Sequence, residues 1–124
     1  LRTRLRLKAD DKLILGPGRL QILRAIGETG SIAAAARTMG MSYRRAWLLV
    51  DDINHCFASP LVESVSGGKR GGGARLTEQG QEVIALYADL LAQTEAAIFT
   101  HKQKIAALLA PTLPPARPEP KEKG

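Results

Sequence analysis

Between Thr77 and Pro111 the residues Ile84, Tyr87, Leu91, Thr94, Ile98, His101, Ile105 and Leu108 follow one another at alternating steps of three and four. That spacing is a heptad seam on a single helix. Thr77 is a suitable cap, and the helix can continue to about Ala110, where Pro111 stops it. Such a helix is about 50 Å long, longer than a compact domain of this size is wide. Only part of its apolar stripe can fold back on a small domain, so a partner should cover the rest. A second copy of the chain would do so, meeting the first through Ile84, Tyr87, Leu91, Thr94 and Ile98. The "PTLPPARPEPKEKG" that follows is Pro-rich and charged and reads as a disordered tail. The expected organisation is one domain over residues 1–110 and a tail over 111–124.

Upstream, "LRTRLRLKA" alternates strictly. Leu1, Thr3, Leu5, Leu7 and Ala9 fall on one side, and Arg2, Arg4, Arg6 and Lys8 on the other. A period of two predicts a strand with one buried face, and "DDK" followed by "LIL" predicts its return in a β-hairpin. Pro17 then opens a helix to about Glu28. Gly30 ends it and Ser31 caps the next, which closes at Gly40. Ser42 caps a third helix, whose core face is Ala46, Val50, Ile53 and Phe57, with Trp47 and Leu49 widening it. Ser59-Pro60 stops that helix. "LVESV" and "ARL" read as two short strands around a glycine run. The fold class is mainly α with small β-hairpins: a winged helix-turn-helix with a long C-terminal dimerisation helix.

Charge separates the surfaces of this fold. The chain carries 18 Lys and Arg against 12 Asp and Glu, a net charge of +6, which favours an anionic partner such as nucleic acid. Residues 76–100 hold no cation and four acids, Glu78, Glu82, Asp89 and Glu95, so the long helix should point away from phosphates. The third helix does the opposite. Tyr43, Arg44 and Arg45 crowd its first turn, where the helix dipole disfavours cations, so something outside the helix should supply the negative charge. A single cysteine, Cys56, excludes an internal disulfide and a thiolate metal cluster, and suits a reducing compartment. Leu1 to Asp10 lacks the apolar region of a signal peptide, and no uninterrupted apolar run reaches membrane-spanning length. A cytoplasmic protein is expected.

The glycine run "SGGKRGGGAR" does not fit an enzyme's phosphate-binding loop. A P-loop would need glycine where Glu63 stands and Ser or Thr where Arg70 stands. It is a linker or the tip of a wing. A tip of glycines with Lys69, Arg70 and Arg75 can approach a phosphate backbone closely. Trp47 lies near the apolar face, which favours the core over a base contact; Tyr43 lies nearer the exposed face. His55 and Cys56 are adjacent on a helix and point about 100° apart, so they cannot act as a nucleophile–base pair. No catalytic, metal or cofactor site is expected.

The stretches "GSIAAAARTMGMSYRRAW" and "LVESVSGGKRGGGARLTEQG", with the hairpin ahead of them, resemble the N-terminal domain of the ModE family of molybdate-responsive transcription regulators. The "GSI..AA" and "LTEQG" pieces are shared with LysR-type regulators. The resemblance implies a homodimer on double-stranded DNA with a palindromic operator. It directs Ser42, Tyr43, Arg44, Arg45, Lys69 and Arg70 toward that DNA. Full-length members continue into molybdate-binding β-barrel domains; only the Pro-rich tail follows here, so direct molybdate binding is not expected. The alternative is a dimeric winged-helix adaptor that works through protein contacts without its own operator. Such an adaptor would need an exposed apolar patch, and residues 66–75 offer none.

Overall fold

The computed structural model describes residues 1–66 and 72–117. Its elements run β1 (Leu7–Ala9), β2 (Lys12–Leu15), α1 (Pro17–Thr29), α2 (Ile32–Met39), α3 (Tyr43–His55), β3 (Val62–Val65), β4 (Gly73–Leu76) and α4 (Glu78–Ala107). The strands form two separate antiparallel hairpins, β1–β2 and β3–β4. This is the expected winged helix-turn-helix order, with α4 leaving the wing as one 30-residue helix.

The helix boundaries follow from local chemistry. Pro17 sits in the first turn of α1, where its missing N–H costs nothing. Gly30 ends that helix at φ 78°, a left-handed conformation that glycine adopts without strain. The Ser31 hydroxyl accepts from the Ala34 N–H at 2.9 Å, and the Ser42 hydroxyl accepts from the Arg45 N–H at 3.1 Å, so both downstream helices are capped. The long helix stops at Ala107, short of Ala110, because Pro111 disfavours helical backbone at the residue before it.

Leu20, Ile22, Leu23 and Ile26 of α1 are buried together with Ala35 and Ala36 of α2, Ala46, Val50 and Ile53 of α3, and Leu61. Alanines at the α2–α3 contact let these helices approach closely. Val83 and Tyr87 bury the beginning of α4 against the same core, and Leu91 packs on its edge.

The strand expected over residues 1–9 is shorter than its alternation suggested. Only Leu7–Ala9 pairs, because β2 has four residues before α1 begins, and the register slips between Leu7 and Lys8. The residues ahead of β1 instead lie along α4. Tyr87 Oη donates to the Leu5 carbonyl at 2.7 Å. The Thr3 hydroxyl, and then the Lys102 ammonium, hold the Glu95 carboxyl below its usual range. The alternation survives as half-buried Thr3 and Leu5 between exposed Arg2, Arg4 and Arg6.

The long helix α4 is more apolar than its uninterrupted runs suggest. By length and composition alone it could cross a membrane, which a search for uninterrupted apolar runs does not reveal. Its first turns are nevertheless packed on the protein body through Gly80, Val83 and Tyr87.

The start of α4 is fixed by one close approach. Thr77 N–H donates to the Leu61 carbonyl at 2.9 Å, its hydroxyl donates to the Pro60 carbonyl at 2.8 Å, and that hydroxyl also accepts from Gly80 N–H at 3.0 Å. A Cβ on Gly80 would lie 2.2 Å from the Leu61 carbonyl oxygen, which is backbone and cannot rotate aside. Gly80→Ala should therefore destabilise the fold by at least ~1–3 kcal/mol, the usual range for overpacking. Gly18→Ala, with nothing within 4 Å of the new methyl, should instead raise stability by up to about 1 kcal/mol. Thermal unfolding of the two variants beside the wild type checks both signs.

Candidate nucleic-acid interface

The first turn of α3 projects Tyr43, Arg44 and Arg45 into solvent and contains no acid. Neither arginine has an ion-pair partner among the described residues. Ser42 is exposed beside them, with its hydroxyl engaged in the cap. Some other cations are neutralised. Asp52, on a different side of α3, receives Lys12 Nζ at 2.8 Å and Arg19 Nη2 at 2.5 Å. The hydrogen bond from the Lys12 ammonium does most to hold the Asp52 carboxyl below its usual range; burial opposes it, and Arg19 adds to the lowering. Arg75 is exposed on β4, but its Nε donates to Glu63 Oε1 at 2.7 Å, a pair made by the Glu63↔Arg75 register of the wing. Lys69 and Arg70 lie outside the described residues.

Trp47 departs from the sequence reading. It is 46% exposed, not part of the core. Ala46, Val50 and Ile53 take the core-facing side of α3, and Trp47 lies off that side. Trp47 instead lines an open groove of about 470 Å³ between α3 and the wing, with Ile32, Tyr43, Ser64 and Gly73 among the other walls. Leu48, beside it, is also half exposed, and the sequence reading gave it no role.

Asn54 is the positioning residue that sequence reasoning missed. Its Oδ1 accepts from the Leu61 and Val62 N–H groups at 2.9 and 3.1 Å, and its Nδ2 donates to the Val62 carbonyl at 3.0 Å. The end of α3 is thereby tied to the first residue of the wing. On the other side, Ala74 N–H donates to the Gly30 carbonyl at 2.9 Å. A Cβ on Gly73 would stand 2.6 Å from that same oxygen, so the wing lies directly on the C-terminus of α1. Nothing in the periodicity separates Asn54 from an ordinary surface asparagine. Its position shortly before a buried strand was the one available signal.

The residues expected on the long-helix seam divide into two groups. Tyr87 is buried within its own chain, and Ile84 and Leu91 are half-buried on the body. Thr94 and Ile98 are half-buried farther along, while Leu86 and Phe99 are well exposed on the helix. Tyr87 is thus spent inside the protomer, because the body covers the first turns of α4. Among the described residues no three His, Cys, Asp or Glu side chains gather as a metal site would require.

Residues 17–81 match the model of the bacterial regulatory helix-turn-helix proteins of the lysR family. The DNA-binding transcriptional dual regulator ModE of Escherichia coli is 44% identical over 95 residues, which is 77% of this chain and 36% of that protein. The molybdenum-pterin-binding protein MopB of Rhodobacter capsulatus is 51% identical over 73 residues, 59% of this chain and 27% of that one. The chain thus spans about a third of these relatives or less. Among solved structures, the DNA-binding domain of CbnR, crystallised with DNA, is similar at a TM-score of 0.53 and 23% identity, covering 74% of this chain and 97% of that one. VV2_1132, a LysR-family regulator, gives a TM-score of 0.51 at 20% identity, covering 70% and 28%. Both likenesses are of fold.

Two expectations follow from the bonds that hold this surface. Asn54→Ala strands the N–H groups of Leu61 and Val62 at a buried site. It should lower stability by about 1–3 kcal/mol per group left unpaired, measured by urea unfolding. Asp52 acts through pH. Its folded pKa is lowered, so its contribution is present above the ordinary carboxylate range and is lost as pH falls through the folded value. Wild type should therefore lose more stability than Asp52→Asn on acidification through that range, in unfolding curves taken at stepped pH.

Proposed function

The chain belongs to the bacterial regulatory helix-turn-helix proteins of the lysR family, with a winged domain of the ModE type, and on that premise we propose that it is a sequence-specific transcriptional regulator that binds a palindromic operator as a homodimer in the cytoplasm. The observation that carries this reading is the exposed Arg44–Arg45 pair at the start of α3, without an ion-pair partner among the described residues and set beside a wing. In this reading α3 enters the major groove. Ser42, Tyr43, Arg44 and Arg45 reach phosphates or base edges, and Lys69, Arg70 and Arg75 of the wing take the backbone. Residues 1–110 act as the DNA-binding and dimerisation domain, and 111–124 as a tail. The homodimer forms along α4 beyond the part its own body covers, with Thr94 and Ile98 at the seam. The link to molybdenum metabolism rests on the relatives' names: ModE, and the molybdenum-pterin-binding MopB.

The adaptor reading draws on one observation, the exposed Tyr43, Trp47 and Leu48. Those side chains share their turns with two arginines that have no ion-pair partner among the described residues, and a protein partner has no general need of both. The two readings separate in a shift assay. Arg44→Ala or Arg45→Ala should cost ~1–3 kcal/mol on a duplex enriched from a random pool if that arginine makes a bidentate base contact. The loss on unselected DNA should be smaller. The slope of log affinity against log salt should flatten by about 0.9 for each phosphate contact removed. Absence of any enriched sequence would overturn the regulator reading.

Assembly is checked separately. Leu91 packs on the body, so its replacement confounds folding with association. Ile98→Asp lies beyond the buried turns and should give folded monomers in sedimentation, with affinity for the enriched duplex falling further than Arg44→Ala causes. A folded monomeric variant with full affinity would remove the dimer from the proposal.

A further inference from the structure

The first two turns of α3 expose apolar surface that the core does not use. Tyr43, Trp47 and Leu48 are each about half exposed. With Arg44 they wall a shallow, mainly apolar concavity of about 350 Å³, and no acidic side chain lines it. At 3.6 residues per turn, Arg44 and Leu48 fall on the side of α3 opposite Ala46, Val50 and Ile53. Leu48 therefore stands near the crest of the helix, and Trp47 leans toward the wing, whose groove it also lines. The next turn brings Asp51, beside His55 Nδ1 at 3.5 Å, and the apolar surface ends there.

The occupant follows from what a major groove offers, on the reading that α3 enters one. Base faces are stacked out of reach. The exposed edges are hydrogen-bond donors and acceptors, with one apolar exception, the 5-methyl group of thymine. An apolar concavity on the crest of such a helix has that single complement. Arg44 on its rim is free to take the neighbouring base edge or phosphate. We propose that Tyr43, Trp47 and Leu48 form a methyl-reading site that makes this protein select thymine beside the position read by Arg44. The Arg44 guanidinium on the rim favours an anionic duplex over an apolar protein groove.

Uracil tests this directly, since it keeps thymine's hydrogen-bond pattern and lacks only the methyl. A duplex enriched from a random pool by the wild-type chain is resynthesised with uracil replacing thymine at single positions. Each contacted methyl should be worth about fourfold in affinity. One or two positions per half-site should show that loss, and the others none. Leu48→Ala and Trp47→Ala, both at exposed positions and checked for folding by circular dichroism, should bind the thymine duplex more weakly and no longer distinguish it from the uracil duplex. Equal wild-type affinity for both duplexes at every position overturns the inference and leaves DNA binding standing. So does a full thymine preference in both variants, which would trace it to the stiffness of the DNA. Failure to enrich any sequence overturns this inference together with the regulator reading beneath it.

Discussion

Asn54 commits both ends of its side-chain amide to the backbone of Leu61 and Val62, and the outward-facing geometry of the molecule depends on that commitment. Leu61 is fully buried and serves three elements at once. Its N–H is held by α3 through Asn54. Its carbonyl accepts from Thr77 at the start of α4, and the same oxygen is what Gly80 approaches so closely. A buried backbone group that loses its partner costs free energy comparable to a lost hydrogen bond. The junction of α3, wing and α4 therefore has little freedom to adjust by halves.

The electrostatic layout divides the molecule along the same lines. Asp52 draws Lys12 and Arg19 together on one side of α3, so the first hairpin, α1 and α3 are joined there by charge. Glu63 offsets Arg75 across the wing. Arg44 and Arg45 have no ion-pair partner among the described residues, at the helix end where the dipole already disfavours them. An acidic residue in that turn would have favoured the isolated protein. Its absence favours a complex with an anion, and it is this asymmetry, more than the net charge, that distinguishes the surface.

Much of this was legible in the sequence because local rules carried it. Gly30, Ser31, Gly40, Ser42, Pro17 and Thr77 each mark a helix end that the structure places within a residue or so. The helical order and the two hairpins follow from those marks and from apolar spacing. What was not legible depended on partners distant in the chain. Trp47 sits on the edge of an apolar arc, and only the way α3 is set against the rest of the body decides that it stays out of the core. The Arg2–Lys8 alternation predicts a strand, but pairing needs a partner, and β2 is too short to supply one along its length. The Arg75–Glu63 pair needs the wing register, and the role of Asn54 needs Leu61 to be brought beneath it.

The rigid seat of α4 has a mechanical meaning. Thirty residues of helix make an arm about 45 Å long, so a tilt of about 5° at the Gly80–Leu61 contact would displace its far end by about 4 Å. In the proposed homodimer the two arms meet beyond their seats, and that displacement would pass directly into the separation of the two α3 helices. DNA repeats on a fixed pitch, so only a narrow range of separations fits both half-sites at once. In that dimer a stiff shoulder on each arm would work as a calliper: it would convert a close backbone contact inside one protomer into tolerance for the distance between two marks on the DNA.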